Sequence, residues 1–162
     1  MKIIITILSV YLVSLFSVTV LPRLSISYIT INLILVIALF YLCQKDFVKG
    51  FIWAGTGGLF LDFLKTGFPS NFFILIGIAL LVIFIIHKFL EVSNRYMFLI
   101  ICFIFTFVYF VFLGLINHIE YKSFFIAAII SAVISLIPAI LIMLFSHFFI
   151  NNKKYQGVYL EE

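Results

Sequence analysis

Residues 50–71 read GFIWAGTGGLFLDFLKTGFPSN. Five glycines, an aspartate, a lysine and a proline punctuate a segment otherwise dominated by large apolar side chains. Gly50, Ala54 and Gly58 recur at intervals of four, and Asp62 extends the series. Gly55 stands seven before Asp62, almost directly beneath it at 3.6 residues per turn. The spacing predicts a helix over about 47–64 with a face of small residues that ends in a carboxylate. Small residues let two helix backbones approach closely, which is the main source of tight helix contact in lipid. A charge on a lipid-facing surface is costly, so the Asp62 side of the helix is expected to be buried against a neighbour.

The surrounding chain explains why lipid is the relevant solvent. Of its 162 residues, 66% are hydrophobic and only 10% are charged. Mean hydropathy is +1.37. Soluble domains are nearer half apolar and one quarter charged, and this chain has too little polar surface to cover a core. Inside a bilayer only helices and closed barrels satisfy their backbone groups. The apolar runs here are long and uninterrupted, whereas barrel strands alternate. The expected fold is an all-α integral membrane protein, a compact bundle of six transmembrane helices with short loops.

The predicted spans cover about 3–21, 26–43, 47–64, 68–86, 96–116 and 123–149, each near the roughly 20 residues a crossing requires. The first run is long for a signal-peptide core and lacks a small-x-small cleavage site, so it reads as a span. The sixth is long enough to tilt, or to bend at Pro138. Residues 1–150 form the six-helix domain on this reading, and 151–162 form a polar tail.

Six crossings place both termini on one side. That side holds Lys2, Lys45, Lys49, Lys88, Arg95, Lys153 and Lys154, and the other holds Arg23, Lys65 and Lys122. Seven cations against three put the termini in the cytoplasm. The net charge of +4 therefore reads as topology and headgroup anchoring, not as a nucleic-acid surface. Cys43 and Cys102 lack CxxC spacing and read as free thiols in the membrane.

A second stripe, Ala127, Ser131, Ser135 and Ala139, marks the sixth span as another close-packing helix. Pro138 leaves the carbonyl of Ile134 without its usual donor. The fifth span, rich in phenylalanine and with little that is small before Gly114, is expected to face lipid over much of its surface. Asn32 is expected to hydrogen-bond across helices from within the second span.

Few residues offer chemistry. Asp62 with Lys65 at i+3 forms an ion pair at a helix end, or alternatively part of an ion or substrate path. His118 and Glu120 share a short loop with no further ligands, which makes no metal site. His87 and His147 fall near helix ends, where interfacial roles suffice. No nucleophile-base set, phosphate loop or carboxylate pair is present. The reading is of a non-enzyme with neither cofactor nor metal.

The order of these features resembles the rod shape-determining protein MreD family. Gly58, Leu61 and Asp62 match a Gly-x-x-Leu-Asp-like signature that ends the family's third span, and Gly67 matches the turn glycine ahead of Pro69. Pro138 is similar to a late proline in the family's last span. The chain departs from the pattern at Ser70-Asn71, where the family has Leu-Gly, and at Ile31, where it commonly has proline. The resemblance implies a non-catalytic scaffold in the bacterial cytoplasmic membrane. It implies binding to MreC-like membrane-anchored protein, and through it an indirect link between an MreB-like filament and peptidoglycan synthases. The competing expectation is the substrate-binding subunit of an energy-coupling-factor vitamin transporter, also a six-helix bundle. Such subunits usually carry an alanine-rich first helix, and residues 3–21 contain no alanine.

Overall fold

The computed structural model describes residues 2–20, 31–65, 69–89, 95–116 and 121–157, with side chains left undescribed at several helix ends. Six helices account for almost all of these: α1 (Lys2–Thr19), α2 (Leu33–Cys43), α3 (Phe47–Lys65), α4 (Ser70–Phe89), α5 (Arg95–Ile116) and α6 (Tyr121–Gly157). There is no strand among the described residues. Four helices, α3 to α6, are long and apolar enough to cross a membrane; α1 and α2 contribute shorter apolar stretches. The outward surfaces are densely apolar, with Ile4, Phe63, Phe73 and Phe145 all more than 60% exposed. Such a surface fits a protein whose helices are solvated by lipid.

The core forms around α2. This helix touches all five others, while α1 and α6 do not touch each other among the described residues. Its sequence, LILVIALFYLC, has no polar face, and a helix apolar all round belongs in an interior. The consecutive residues Ile34, Leu35 and Val36 are each at most 1% exposed, so neighbours cover every side. At 11 residues α2 is about 16 Å long, roughly half the hydrocarbon thickness. The predicted span over 26–43 is thus helical only from Leu33 onward among the described residues, which exclude 21–30.

The join between α2 and α3 is a tight, fully bonded turn. Lys45 N–H donates to the Leu42 carbonyl and Asp46 N–H to that of Tyr41, the crossed pair of bonds that closes many helix C-termini. Lys45 occupies the left-handed position with φ 62°, where glycine is the usual residue. Asp46 then starts α3, its Oδ1 accepting from Lys49 N–H at 3.3 Å.

The small residues of α3 divide between two neighbours. Gly50 meets Leu42 of α2, and Gly57 meets Ile34 of α2 and Val10 of α1. Gly55 and Gly58 instead face α4. The single face expected along Gly50, Ala54 and Gly58 is therefore two faces, because α3 is wedged between α2 and α4. A Cβ built on Gly58 would lie 2.7 Å from the Phe72 Cα, and that neighbour is backbone, which cannot swing aside.

α5 buries 39% of its spanning window, as much as α3 and more than the 33% of α4 and of α6, and the larger part of that window stays outside the core. Four of its rings are buried: those of Phe98, Phe105, Tyr109 and Phe110. The stripe on α6 is buried at Ala127, Ser131, Ser135 and Ala139, yet α6 touches only α5 and α2. The two small-residue stripes of the sequence therefore never meet. Finally, α6 does not stop near residue 149 but runs 37 residues to Gly157, so 151–157 continue the helix.

Gly58→Ala is expected to destabilise the protein by about 1–3 kcal/mol through overpacking. Gly77→Ala should be near neutral, since a Cβ there meets nothing within 4 Å. Denaturant titration in micelles compares the two, and equal stabilities would refute the close-approach argument. In the same assay Lys45→Gly should stabilise by about 1 kcal/mol by relieving the left-handed lysine.

Candidate functional site

Asp62 lies in the last turns of α3 and is only 7% exposed. Its carboxylate reaches the start of the next helix. Oδ1 accepts from Asn71 N–H at 3.0 Å and from Asn71 Nδ2 at 2.6 Å, and Oδ2 accepts from Phe72 N–H at 2.8 Å. Asn71 and Phe72 are in the first turn of α4, where backbone N–H groups have no partner within their own helix. A carboxylate at that position also meets the positive end of the helix dipole. Asp62 is therefore an N-cap supplied by the preceding helix rather than by the residue before α4.

The cap is tied to a third helix. Asn71 Oδ1 accepts from the Tyr109 hydroxyl of α5. The amide has one orientation that fits both ends, with its nitrogen on the carboxylate and its oxygen on the phenol. Asn71 and Tyr109 are 4% and 3% exposed. Asn32, the N-cap of α2, adjoins the same phenol. Its Oδ1 accepts from Leu35 N–H at 3.1 Å, and its Nδ2 has no hydrogen-bond partner among the described residues. Asn32 caps the helix, which begins one residue after it, and also lies beside a residue of another helix, the Tyr109 phenol of α5.

Asn32, Asp62, Asn71 and Tyr109 thus form one buried polar cluster joining α2, α3, α4 and α5 at one end of the bundle. Gly55 and Gly58 permit it. They hold α4 close to α3 on the face where Asp62 projects, with Phe72 the shared neighbour of all three. Gly50, Ala54, Ala127, Ser131, Ser135 and Ala139 lie outside this cluster. Pro69 precedes α4 and its carbonyl accepts from Phe73 N–H. Gly67, His118 and Glu120 lie outside the described residues, as do the side chains of Lys65 and His147.

The cluster is suited to holding helices in place. The three donors on Asp62 occupy most of the roughly four acceptor sites of a carboxylate. No group of three metal-ligating side chains occurs among the described residues. The thiols of Cys43 and Cys102 are free and buried. A separate groove of about 270 Å³ opens between α4 and α5, lined by residues such as Phe73, Gly77, Leu81 and Phe112. Every residue lining it is apolar, so it offers a ligand no orienting side-chain group.

Sequence reasoning found Asp62 but not its partners. Asn71 carried a usable signal, a side-chain amide in the first turn of a helix, nine residues after a buried acid. Tyr109 carried less: one of two hydroxyls in the run FIFTFVYFVF, 38 residues beyond Asn71. No family model matches the chain, nor does any curated protein or solved structure.

Asp62→Ala should cost about 3 kcal/mol, since it strands two backbone N–H groups and the Asn71 amide in the interior. Tyr109→Phe should cost about 1 kcal/mol. The loss in the double variant should differ from the sum of the two single losses, because both act through Asn71. Strict additivity in a double-mutant cycle would show the network to be uncoupled.

Proposed function

We propose that the chain is a non-catalytic scaffold of the bacterial cytoplasmic membrane, acting in cell-wall elongation and the maintenance of rod shape. On this reading all six apolar segments cross the bilayer and both termini are cytoplasmic, as the seven-to-three distribution of cations favours. The partner is an MreC-like membrane-anchored protein, which connects the scaffold to an MreB-like filament and to peptidoglycan synthases.

The observation that carries the proposal is the engagement of Asp62. The resemblance to the MreD family rests on Gly58, Leu61 and Asp62, and these residues have a common physical role. Gly58 brings α4 against α3, Leu61 is buried in the core, and Asp62 locks the start of α4. A signature with this role produces a rigid helical hairpin, which is what a docking platform requires. The reading as a vitamin-capturing subunit needs a polar pocket at the outer face. Asp62, Asn71 and Tyr109 at that end are instead bonded to one another.

Depleting the protein from rod-shaped cells is expected to produce rounding. Asp62→Ala is expected to insert at normal yield but to co-purify with less of the MreC-like partner. Undiminished partner recovery with the variant would count against the platform role, and unchanged cell shape on depletion would remove the cell-wall reading altogether.

A further inference from the structure

The end of the bundle opposite the Asp62 cluster gathers cations on an aromatic frame. Lys45 stands exposed at the tip of the α2–α3 turn, raised there by its left-handed backbone. Lys49, about half exposed, places Nζ 5.5 Å from the centre of the Tyr41 ring. Tyr41 in turn stacks on Trp53 at 6.3 Å. The Phe47 ring lies 5.5 Å from that of His87, which brings the end of α4 against the start of α3. Lys88 follows, its Nζ 5.5 Å from the Phe84 ring. The one carboxylate described in this group is Asp46, which pairs with Lys49. The Lys49 ammonium holds the Asp46 carboxyl below its ordinary range, so the group stays ionised.

We propose that this end is a binding site for anionic phospholipid headgroups, formed by the α2–α3 turn and the last turn of α4. Among the described residues three lysines face one acid, which leaves an excess of positive charge at this end of the helices. The half-buried Tyr41 ring lies just inside that level, where tyrosine concentrates at membrane interfaces, and it is backed by Trp53, which is only 6% exposed. A soluble acidic partner would use the charges but not the apolar surface below them. A phospholipid uses both, with its phosphate beside Lys45 and Lys49 and its acyl chains against the apolar helix surface below. The ring contacts also hold the long cationic side chains in position before the anion arrives, which lowers the ordering cost of binding. The site needs only that the helices cross a membrane, and it is independent of any role in cell-wall synthesis.

Trp53 is the chain's one tryptophan, so its fluorescence reports on this end alone. The full-length protein would be placed in nanodiscs of phosphatidylcholine containing either brominated phosphatidylglycerol or brominated phosphatidylcholine. Brominated phosphatidylglycerol should quench Trp53 with an apparent affinity about fivefold higher, the effect expected for one interfacial lysine. The pair Lys45→Gly and Lys49→Gln should bring the ratio to about one, while Lys49→Arg should preserve it. Unchanged quenching by brominated phosphatidylcholine shows that the double variant remains folded. Equal quenching by the two lipids in the unaltered protein, or a preference that survives the double variant, would overturn the proposal. So would loss of the preference on adding millimolar inorganic phosphate, which would mark a site for free anions.

Discussion

Inside a bilayer the first turn of a helix has no water to bond to its free N–H groups, and leaving them unpaired costs several kcal/mol. The first N–H groups of α4 find their acceptors on α3. Asp62 provides both oxygens, and the bond is available only because Gly58 lets the α4 backbone come within contact of α3. The close approach and the cap therefore depend on each other. A larger residue at 58 would move the N–H groups out of reach. A residue without a carboxylate at 62 would leave a close contact with unpaired donors beneath it. Asn71 then passes the constraint to α5 through Tyr109.

The arrangement around α2 follows from a different term. A short helix with no polar face gains most by being surrounded, and five helices surround it. Polar caps finish both of its ends. Asn32 closes the start, and the bonds from Lys45 and Asp46 N–H close the finish. These two ends differ in character. The Asn32 end joins the buried cluster, in which Asp62, Asn71 and Tyr109 are bonded to one another. The Lys45 end carries exposed cations beside the stacked rings of Tyr41 and Trp53.

Close packing in this protein uses two materials. Where α3 meets its neighbours, glycines bring backbones together and side chains of the partner fill the notch. Where α5 meets its neighbours, phenylalanine and tyrosine rings fill the contact, and at Gly114 a ring from α6, that of Phe124, presses against bare backbone. The groove beside Gly77 shows what happens when a glycine has no such partner: the surface stays open.

The sequence by itself determined that the chain is helical and apolar, where most of its helices begin and end, and that Asp62 belongs on a buried face. These follow from composition and from spacing within single helices, which are local properties. Only the tertiary structure decided which helix each face meets. It assigned Gly50 and Gly57 to one side of α3 and Gly55 and Gly58 to the other, and it kept the α6 stripe away from α3. It also carried α6 through the polar residues 151–157. Above all it supplied the partners of Asp62. The bond from Tyr109 to Asn71 joins residues 38 apart, and no periodicity within either helix encodes such a pairing. It arises from how α4 and α5 settle around α2, which depends on the whole set of contacts at once.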